Sequence, residues 1–306
     1  MTVEIQNIFV VGAGLMGSGI AQTALQSGYT VTLNDQREEA LDRAKAGINN
    51  RLERLVEKGK MTAEEKEDCM SRLTTDTRLN AAAKADLVIE AIFEELSAKR
   101  EIFQSLDAIC PASTIFASNT SSISLTALGA ATNRPEKVVG MHFFSPVPVM
   151  RLLEIVFGLR TSQEVLDAVK EVGKKMGKWL ILAKDKPGFI VNRALLPMLN
   201  EAVQILDEGV GTVEDVDYGM KLGCNHPMGP LELADMIGLD ILLEVMQVFY
   251  EDLGDTKYRP AHLLRKMVTA HYLGRKTGSG FYLYENGKKL AVNPVLTREH
   301  SLFDQP

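Results

Sequence analysis

Little in this chain of 306 residues would support a cross-linked or metal-stapled fold. Its three cysteines, Cys69, Cys110 and Cys224, are far apart and odd in number, and none forms a Cys-x-x-Cys pair. That excludes a disulfide framework and a thiolate zinc site, and it suits a reducing compartment. Each thiol reads as a small core residue. Only five histidines are present, none at His-Glu-x-x-His or comparable spacing, so no metal is expected. No apolar run approaches the length of a membrane span. The first one, starting at Ile8, is brief and is consumed by a strand, so no signal peptide is expected. Positive charge is not in excess: 34 Lys and Arg face 40 Asp and Glu, a net charge of −6, which argues against nucleic acid as a main partner. Repeats and low-complexity segments are also lacking. What remains is a cytoplasmic globular protein, long enough for two domains with separate cores.

Against these absences one stretch stands out. Phe9-Val-Val-Gly12-Ala13-Gly14-Leu15-Met16-Gly17 runs an apolar strand into a G-x-G-x-x-G turn, and a helical pattern leaves it. A second apolar run, Tyr29 to Leu33, ends in Asn34-Asp35. Gly12 makes the tight turn, Gly14 lets a pyrophosphate approach the backbone, and Gly17 lets the helix pack close to the strand. The helix N-terminus, from Ala13 through Leu15 and Met16, offers N–H groups and partial positive charge to phosphates. Asp35 stands where a carboxylate accepts from a ribose 2′-hydroxyl, which favours NAD over NADP. Arg37, two residues on, is a cation that could partly accommodate a 2′-phosphate.

The first 185 residues alternate short apolar runs with helical patterns. Strands are expected at Ile5–Val11, Thr30–Asn34, Asp86–Ala91, Thr114–Ser118, Lys137–Phe143, Leu152–Phe157 and Trp179–Ala183. Helices are expected at Leu15–Ser27, Arg37–Lys58, Ala63–Met70, Glu95–Ile109, Ile123–Leu128 and Gln163–Met176. The alternation predicts a Rossmann-type doubly wound α/β sheet, with antiparallel members allowed from Val138 onward. After Asp185 the breaker Lys186-Pro187-Gly188 opens a different pattern. Helices follow at Phe189–Glu208, Val213–Leu222, Pro230–Met236, Asp240–Leu253 and Pro260–Ala270, with no convincing strand. We therefore expect an NAD-binding domain over 1–185 and an all-α domain over 186–306. Pro197, inside the first of these helices, should kink it.

His142 ends an apolar strand, and ligands of parallel α/β sheets bind at carboxyl ends of strands. Glu154 lies twelve residues on, in the apolar run Leu-Leu-Glu-Ile-Val. A carboxylate there needs a cationic or donor partner, and an imidazole is the obvious one. Alone, His142 would read as structural; the pairing and the upstream turn make it a candidate acid/base. His226, His262, His271 and His300 look like turn, surface or helix-end residues. Ser118-Asn119-Thr120-Ser121-Ser122 follows a strand and reads either as a helix N-cap region or as Asn119 and Ser121 facing cofactor and substrate. Glu90, Glu94 and Lys99 read either as a solvated helix start or as contacts to the nicotinamide side of the cofactor. The charged segment Arg37–Lys60 is a solvated amphipathic helix by default, and alternatively offers cations to a phosphorylated carrier.

Several long motifs occur in a fixed order: Val-Gly-Ala-Gly-Leu-Met-Gly, Ser-Asn-Thr-Ser-Ser, Met-His-Phe-Phe-Ser-Pro-Val-Pro-Val-Met, Lys-Pro-Gly-Phe-Ile-Val-Asn-Arg, His-Pro-Met-Gly-Pro-Leu-Glu-Leu-Ala-Asp and Gly-Arg-Lys-Thr-Gly-Ser-Gly-Phe-Tyr. With these the chain resembles the short-chain 3-hydroxyacyl-CoA dehydrogenase family, most of all its bacterial 3-hydroxybutyryl-CoA branch, from about residue 5 to 284. The resemblance implies reversible NAD-dependent oxidation of an (S)-3-hydroxyacyl-CoA, in fatty acid or butyrate metabolism. It implies His142 as catalytic base, Glu154 as its orienting partner, Ser121 on the substrate's 3-oxygen and Asn192 against substrate or base. Glu94, Lys99, Ser121 and Lys276 would help hold NAD, and Arg51 and Lys58 would lie near coenzyme A. A homodimer through the helical domain is implied, as is a stand-alone enzyme without hydratase or thiolase domains. Ser145 stands where the family usually has Asn; serine keeps a donor and an acceptor but is shorter, and it is counted with the cofactor contacts. Two other readings fit the same residues: a dehydrogenase of a free hydroxy or sugar acid, and a non-catalytic NAD-binding protein.

Overall fold

The computed structural model describes residues 4–296, so His300 lies outside the described residues. The chain divides into two compact units, one ending at Phe189 and the other starting at Ile190. The first contains β1 (Asn7–Val11), α1 (Leu15–Gln26), β2 (Thr30–Asn34), α2 (Glu38–Glu57), α3 (Ala63–Ser71), β3 (Leu73–Asp76) and β4 (Leu87–Glu90). It continues with α4 (Leu96–Ile109), β5 (Ile115–Ser118), α5 (Leu125–Gly129), β6 (Val138–Phe143), β7 (Leu152–Phe157), α6 (Gln163–Lys175) and β8 (Trp179–Lys184).

These eight strands form one sheet in the order β3-β2-β1-β4-β5-β6-β7-β8. The sheet is parallel from β3 to β6; β7 runs antiparallel to β6, and β8 runs parallel to β7. Strand order reverses between β1 and β4, which makes their carboxyl ends the switch-point crevice where such sheets bind ligands. Both sheet faces are covered. Ile8 and Val10 of β1 join one apolar cluster with α1 and α2, while Phe9 and Val11 join another with Phe103 of α4. That is why the strands read as continuous apolar runs rather than alternating ones. On α2 the buried residues Ala40, Leu41, Ala44, Ile48 and Leu52 make one stripe, leaving the charged residues outside. The edge strand β3 was not among the expected strands. It is four residues long with one buried position, Leu73, too short and polar to give a hydrophobic signal.

The second unit contains α7 (Val191–Asp207), α8 (Val213–Tyr218), α9 (Pro230–Ile237), α10 (Leu239–Leu253) and α11 (His262–Thr269). They pack around Leu199, Val203, Leu231, Leu242, Met246, Phe249 and Phe281. Pro197 lies inside α7, which continues through it. The expected helical architecture is present, with one addition: an antiparallel hairpin of β9 (Tyr282–Glu285) and β10 (Lys288–Val292). Its two-residue turn is Asn286-Gly287, both at positive φ (49° and 76°). This Asn-Gly pair is the strongest short-range hairpin signal a sequence carries. Two buried carboxylates anchor the hairpin. Asp235 accepts the N–H groups of Phe281 and Tyr282 and the Tyr284 hydroxyl, and Asp217 accepts the Tyr282 hydroxyl at 2.7 Å.

Candidate active site

The glycine turn behaves as its spacing demands. Gly12 has φ +100°, and a Cβ there would lie 2.6 Å from the Ala91 carbonyl oxygen, at the exit of β4. A Cβ on Gly17 would lie 1.8 Å from the Gly12 carbonyl oxygen, so helix and strand pack this closely only because it is absent. At Gly14, in contrast, a Cβ would meet nothing within 4 Å. The backbone at the start of α1 is therefore open, and no side chain caps the helix N-terminus. Ala13 is buried, Met16 half-buried and Leu15 exposed at the rim. Asp35, at the exit of β2, accepts the Ala13 N–H and the Arg37 N–H, each at 3.0 Å. Two of about four lone-pair sites on the carboxylate are thus used, leaving others for a ribose hydroxyl. An open helix N-terminus beside an acceptor carboxylate fits a dinucleotide, with the diphosphate on the helix and a ribose on Asp35.

His142 and Glu154 are directly opposite one another in the antiparallel β6–β7 pair. Opposite side chains on such a pair share a face, which turns a separation of twelve residues into contact. His142 Nδ1 lies 2.6 Å from Glu154 Oε2. The carboxylate can only accept, so the ring proton belongs on Nδ1, and Nε2 carries the lone pair. Glu154 has no accessible surface and His142 is 6% exposed. The imidazole is walled by Phe144, with ring centroids 4.6 Å apart, and by the edge of Phe189 at 5.6 Å. Neither ring was singled out in the sequence. Phe189 holds φ +49°, an unusual conformation for a bulky residue, just after Gly188 in the Lys186-Pro187-Gly188 turn. Such strained positions cluster at functional sites.

The loop after β5 lies between these two regions. The Asn119 side-chain carbonyl accepts the Phe143 N–H at 2.9 Å, tying the end of β5 to the end of β6. Glu94 gathers the rest of the loop. One of its oxygens accepts the Thr120 hydroxyl and the backbone N–H groups of Ser121 and Ser122, and lies 3.3 Å from Ser121 Oγ. Burial works to raise the Glu94 carboxyl. The Lys99 cation and the hydrogen bonds from Thr120 and Ser121 outweigh it and hold the group below the usual carboxylate range. Lys99 lies 3.2 Å from Glu94 and 2.6 Å from Glu90. Glu90 also accepts the Ile92 N–H and the Ser118 hydroxyl.

The reading of Glu90 and Lys99 as a solvated helix start is overturned by their burial. Glu90 is 0% and Lys99 1% exposed, and the two form a buried ion pair. They lie beneath the site and support the Glu94–Ser121 loop. The helix after this serine-rich stretch is capped from outside it, by Ser124, whose hydroxyl accepts the Ala127 N–H.

Ser145 is exposed at the start of the β6–β7 connection. That loop is held by Lys178, whose ammonium bonds the carbonyls of Val147 and Met150. On α2, Arg51 bonds the Gln22 side chain and lines a cavity of about 350 Å³ with Gly14, Ser18, Arg37 and Arg43. Lys58 follows the last turn of the same helix. Asn192 and Lys276 belong to the second unit. Asn192 is in the first turn of α7, and the Lys276 ammonium is paired with Asp240.

Residues 7–186 match the NAD binding domain of 3-hydroxyacyl-CoA dehydrogenase, and residues 188–284 match its C-terminal domain. A probable 3-hydroxybutyryl-CoA dehydrogenase of Bacillus subtilis is 52% identical over 282 residues, covering 92% of this chain and 98% of the relative. A 3-hydroxybutyryl-CoA dehydrogenase of Bradyrhizobium diazoefficiens is 49% identical over 298 residues, covering 97% of this chain and all of the relative. The crystal structure of (S)-3-hydroxybutyryl-CoA dehydrogenase from Ralstonia eutropha superposes with a TM-score of 0.91 at 48% identity, covering 92% of this chain and 100% of that one. With both domain signatures in order, and with relatives this similar over nearly their whole length, the chain belongs to the 3-hydroxyacyl-CoA dehydrogenase family.

Proposed function

We propose that this chain catalyses the reversible NAD-dependent oxidation of a short-chain (S)-3-hydroxyacyl-CoA to the 3-oxoacyl-CoA. The observation that carries the chemistry is the buried His142–Glu154 pair, with His142 at the carboxyl end of β6. NAD, when bound, supplies the acceptor for the hydride leaving C3 of the substrate. The protein's own residues handle the proton. His142 Nε2 takes it from the 3-hydroxyl, and in the reverse direction returns it to the developing alkoxide. Glu154 fixes the tautomer and stabilises the imidazolium that forms. A positioned base of this kind contributes roughly 10²–10⁴ in rate. The Ser121 hydroxyl, on the loop gathered by Glu94, orients the substrate oxygen. The phenyl walls of Phe144 and Phe189 keep water from the imidazole.

The rest of the assignment rests on matching motif positions. Gly12, Ala13, Gly14, Leu15, Met16, Gly17, Asp35, Glu90, Glu94, Lys99, Asn119, Ser121, Ser145 and Lys276 serve the cofactor. Asn192 serves the substrate, and Arg51 and Lys58 serve the phosphates of coenzyme A. The first unit binds NAD, and the helical unit makes a homodimer. Free cysteines at 69, 110 and 224 are in keeping with a cytoplasmic enzyme. Among the described residues no helix is long and apolar enough to cross a membrane.

The test follows NADH absorbance on mixing with acetoacetyl-CoA. The native chain should consume NADH; the His142→Gln variant should bind NADH with nearly native affinity and turn over at least about 10²-fold more slowly. No consumption by the native chain with short or longer 3-oxoacyl-CoA esters would overturn the reading, and undiminished kcat in the variant would overturn the role of His142.

A further inference from the structure

The cavity beside the glycine turn carries a feature that a purely NAD-selective site does not need. It is lined by Ala13, Gly14 and Leu15 from the turn and by Arg37, Ala40 and Arg43 from the start of α2. No acidic side chain lines it, and the small side chains of Ala40 and Ala44 leave room between the arginines. Asp35 is close by in sequence, and its carboxylate is engaged by the backbone: one oxygen accepts the Ala13 N–H and the other the Arg37 N–H. Arg37 Nε lies 3.6 Å from Asp35 Oδ1, near enough to offset its charge and too far for a hydrogen bond. The Arg37 side chain is 72% exposed, and among the described residues its guanidinium donates no hydrogen bond. Arg51 contrasts with it, since its guanidinium is already bonded to Gln22.

We propose that Arg37 sets cofactor specificity by admitting NADP(H) as a second, weaker cofactor at the same turn. This rests on the dinucleotide reading above. Asp35 holds the ribose hydroxyls of NAD, whereas an arginine beside that carboxylate is the group that accommodates a 2′-phosphate. A guanidinium presents several donors in a fork that suits phosphate, and here the fork is uncommitted. The Arg43 cation on the same cavity adds to the favourable field. Asp35 keeps NAD(H) preferred, because its charge opposes a phosphate dianion while accepting from a hydroxyl. The chain is thus biased toward NAD by Asp35 and kept from absolute selectivity by Arg37.

The test is equilibrium binding, read separately from turnover. NADH and NADPH are titrated by fluorescence, and adenosine 5′-monophosphate and adenosine 2′,5′-bisphosphate by calorimetry, against the native chain and Arg37→Gln. The native chain should bind NADPH roughly ten- to a hundred-fold more weakly than NADH, with an affinity that falls as salt rises. The variant should bind NADPH and the bisphosphate about ten-fold more weakly still, while NADH and the monophosphate change less than about two-fold. Equal shifts for both ligand pairs, or no bisphosphate binding to a native chain that binds the monophosphate, would overturn the role of Arg37 and leave the NAD site standing. Failure of NADH itself to bind would overturn the dinucleotide reading and this inference together.

Discussion

Replacing Lys99 by methionine tests the support beneath the site. The Lys99 ammonium sits 2.6 Å from Glu90 and both side chains are almost wholly buried, at 1% and 0% exposure. Methionine fills most of the volume of the lysine stem, so packing is nearly kept and the loss is electrostatic. Removing one partner of a buried ion pair costs about 3–5 kcal/mol, because the remaining charge is left uncompensated in a poorly polarisable interior. Glu90 keeps the Ile92 N–H at 2.7 Å and the Ser118 hydroxyl at 2.6 Å, which places the expected loss near the lower end, about 3 kcal/mol. Glu94 also loses its cation, but its side chain is 32% exposed and water screens part of that loss. Amide hydrogen exchange on β4 and β5 reads the stability of this unit without reference to the other. Lys99→Met should lower protection there by about 3 kcal/mol, and adding Glu90→Gln should recover more than half of it. A loss under about 1 kcal/mol, or no recovery in the double variant, would refute the claim that Glu90 depends on Lys99.

Two further perturbations separate binding from folding. Gly14→Ala adds a methyl that meets no protein atom, so melting should be unchanged while NADH binds at least about ten-fold more weakly. Gly17→Ala drives a Cβ to 1.8 Å from the Gly12 carbonyl, and thermal denaturation should show a loss of about 3 kcal/mol or more; native melting in this variant would contradict the close-packing argument. In the helical unit, burial pushes the Asp235 carboxyl up from 3.8 to about 6, against hydrogen bonds from Tyr282, Phe281 and Tyr284 and assisted by Asp217. A raised carboxyl favours its neutral form in the fold. Its contribution to stability is therefore complete below about pH 4 and is lost as pH rises through about 6, by roughly 3 kcal/mol. Hydrogen exchange on the β9–β10 hairpin across that window should show this slope in the native chain and a flatter one in Asp235→Asn; matching slopes would assign the dependence to other groups.

The dinucleotide turn was legible in the sequence because its interactions are local. Steric demands on Gly12, Gly14 and Gly17 and the apolar run of β1 are set within a few residues, and Asp35 ends the very next strand. The alternation of strands and helices, and the change of character after the Lys186-Pro187-Gly188 breaker, followed from periodicity that each element carries in itself. The Asn286-Gly287 hairpin was equally local, yet it is short and attached to a helical unit, where helical expectation outweighed the turn signal. Other decisions belonged to the tertiary structure. His142 and Glu154 were each recognisable as candidates, but only the antiparallel register of β6 against β7 puts them on one face at hydrogen-bond distance. Glu90 and Lys99 look, in sequence, like a polar helix entry. Burial alone converts them into an ion pair beneath the site, and burial is set by what packs above β4 and α4. Phe189 becomes a wall of the imidazole because the chain turns at Gly188, bringing a residue 47 positions away in sequence against His142. Sequence by itself determined which groups are available and which local shapes carry them; distances between strands, and the exclusion of water from particular charges, were decided by the fold, because both depend on residues far apart along the chain.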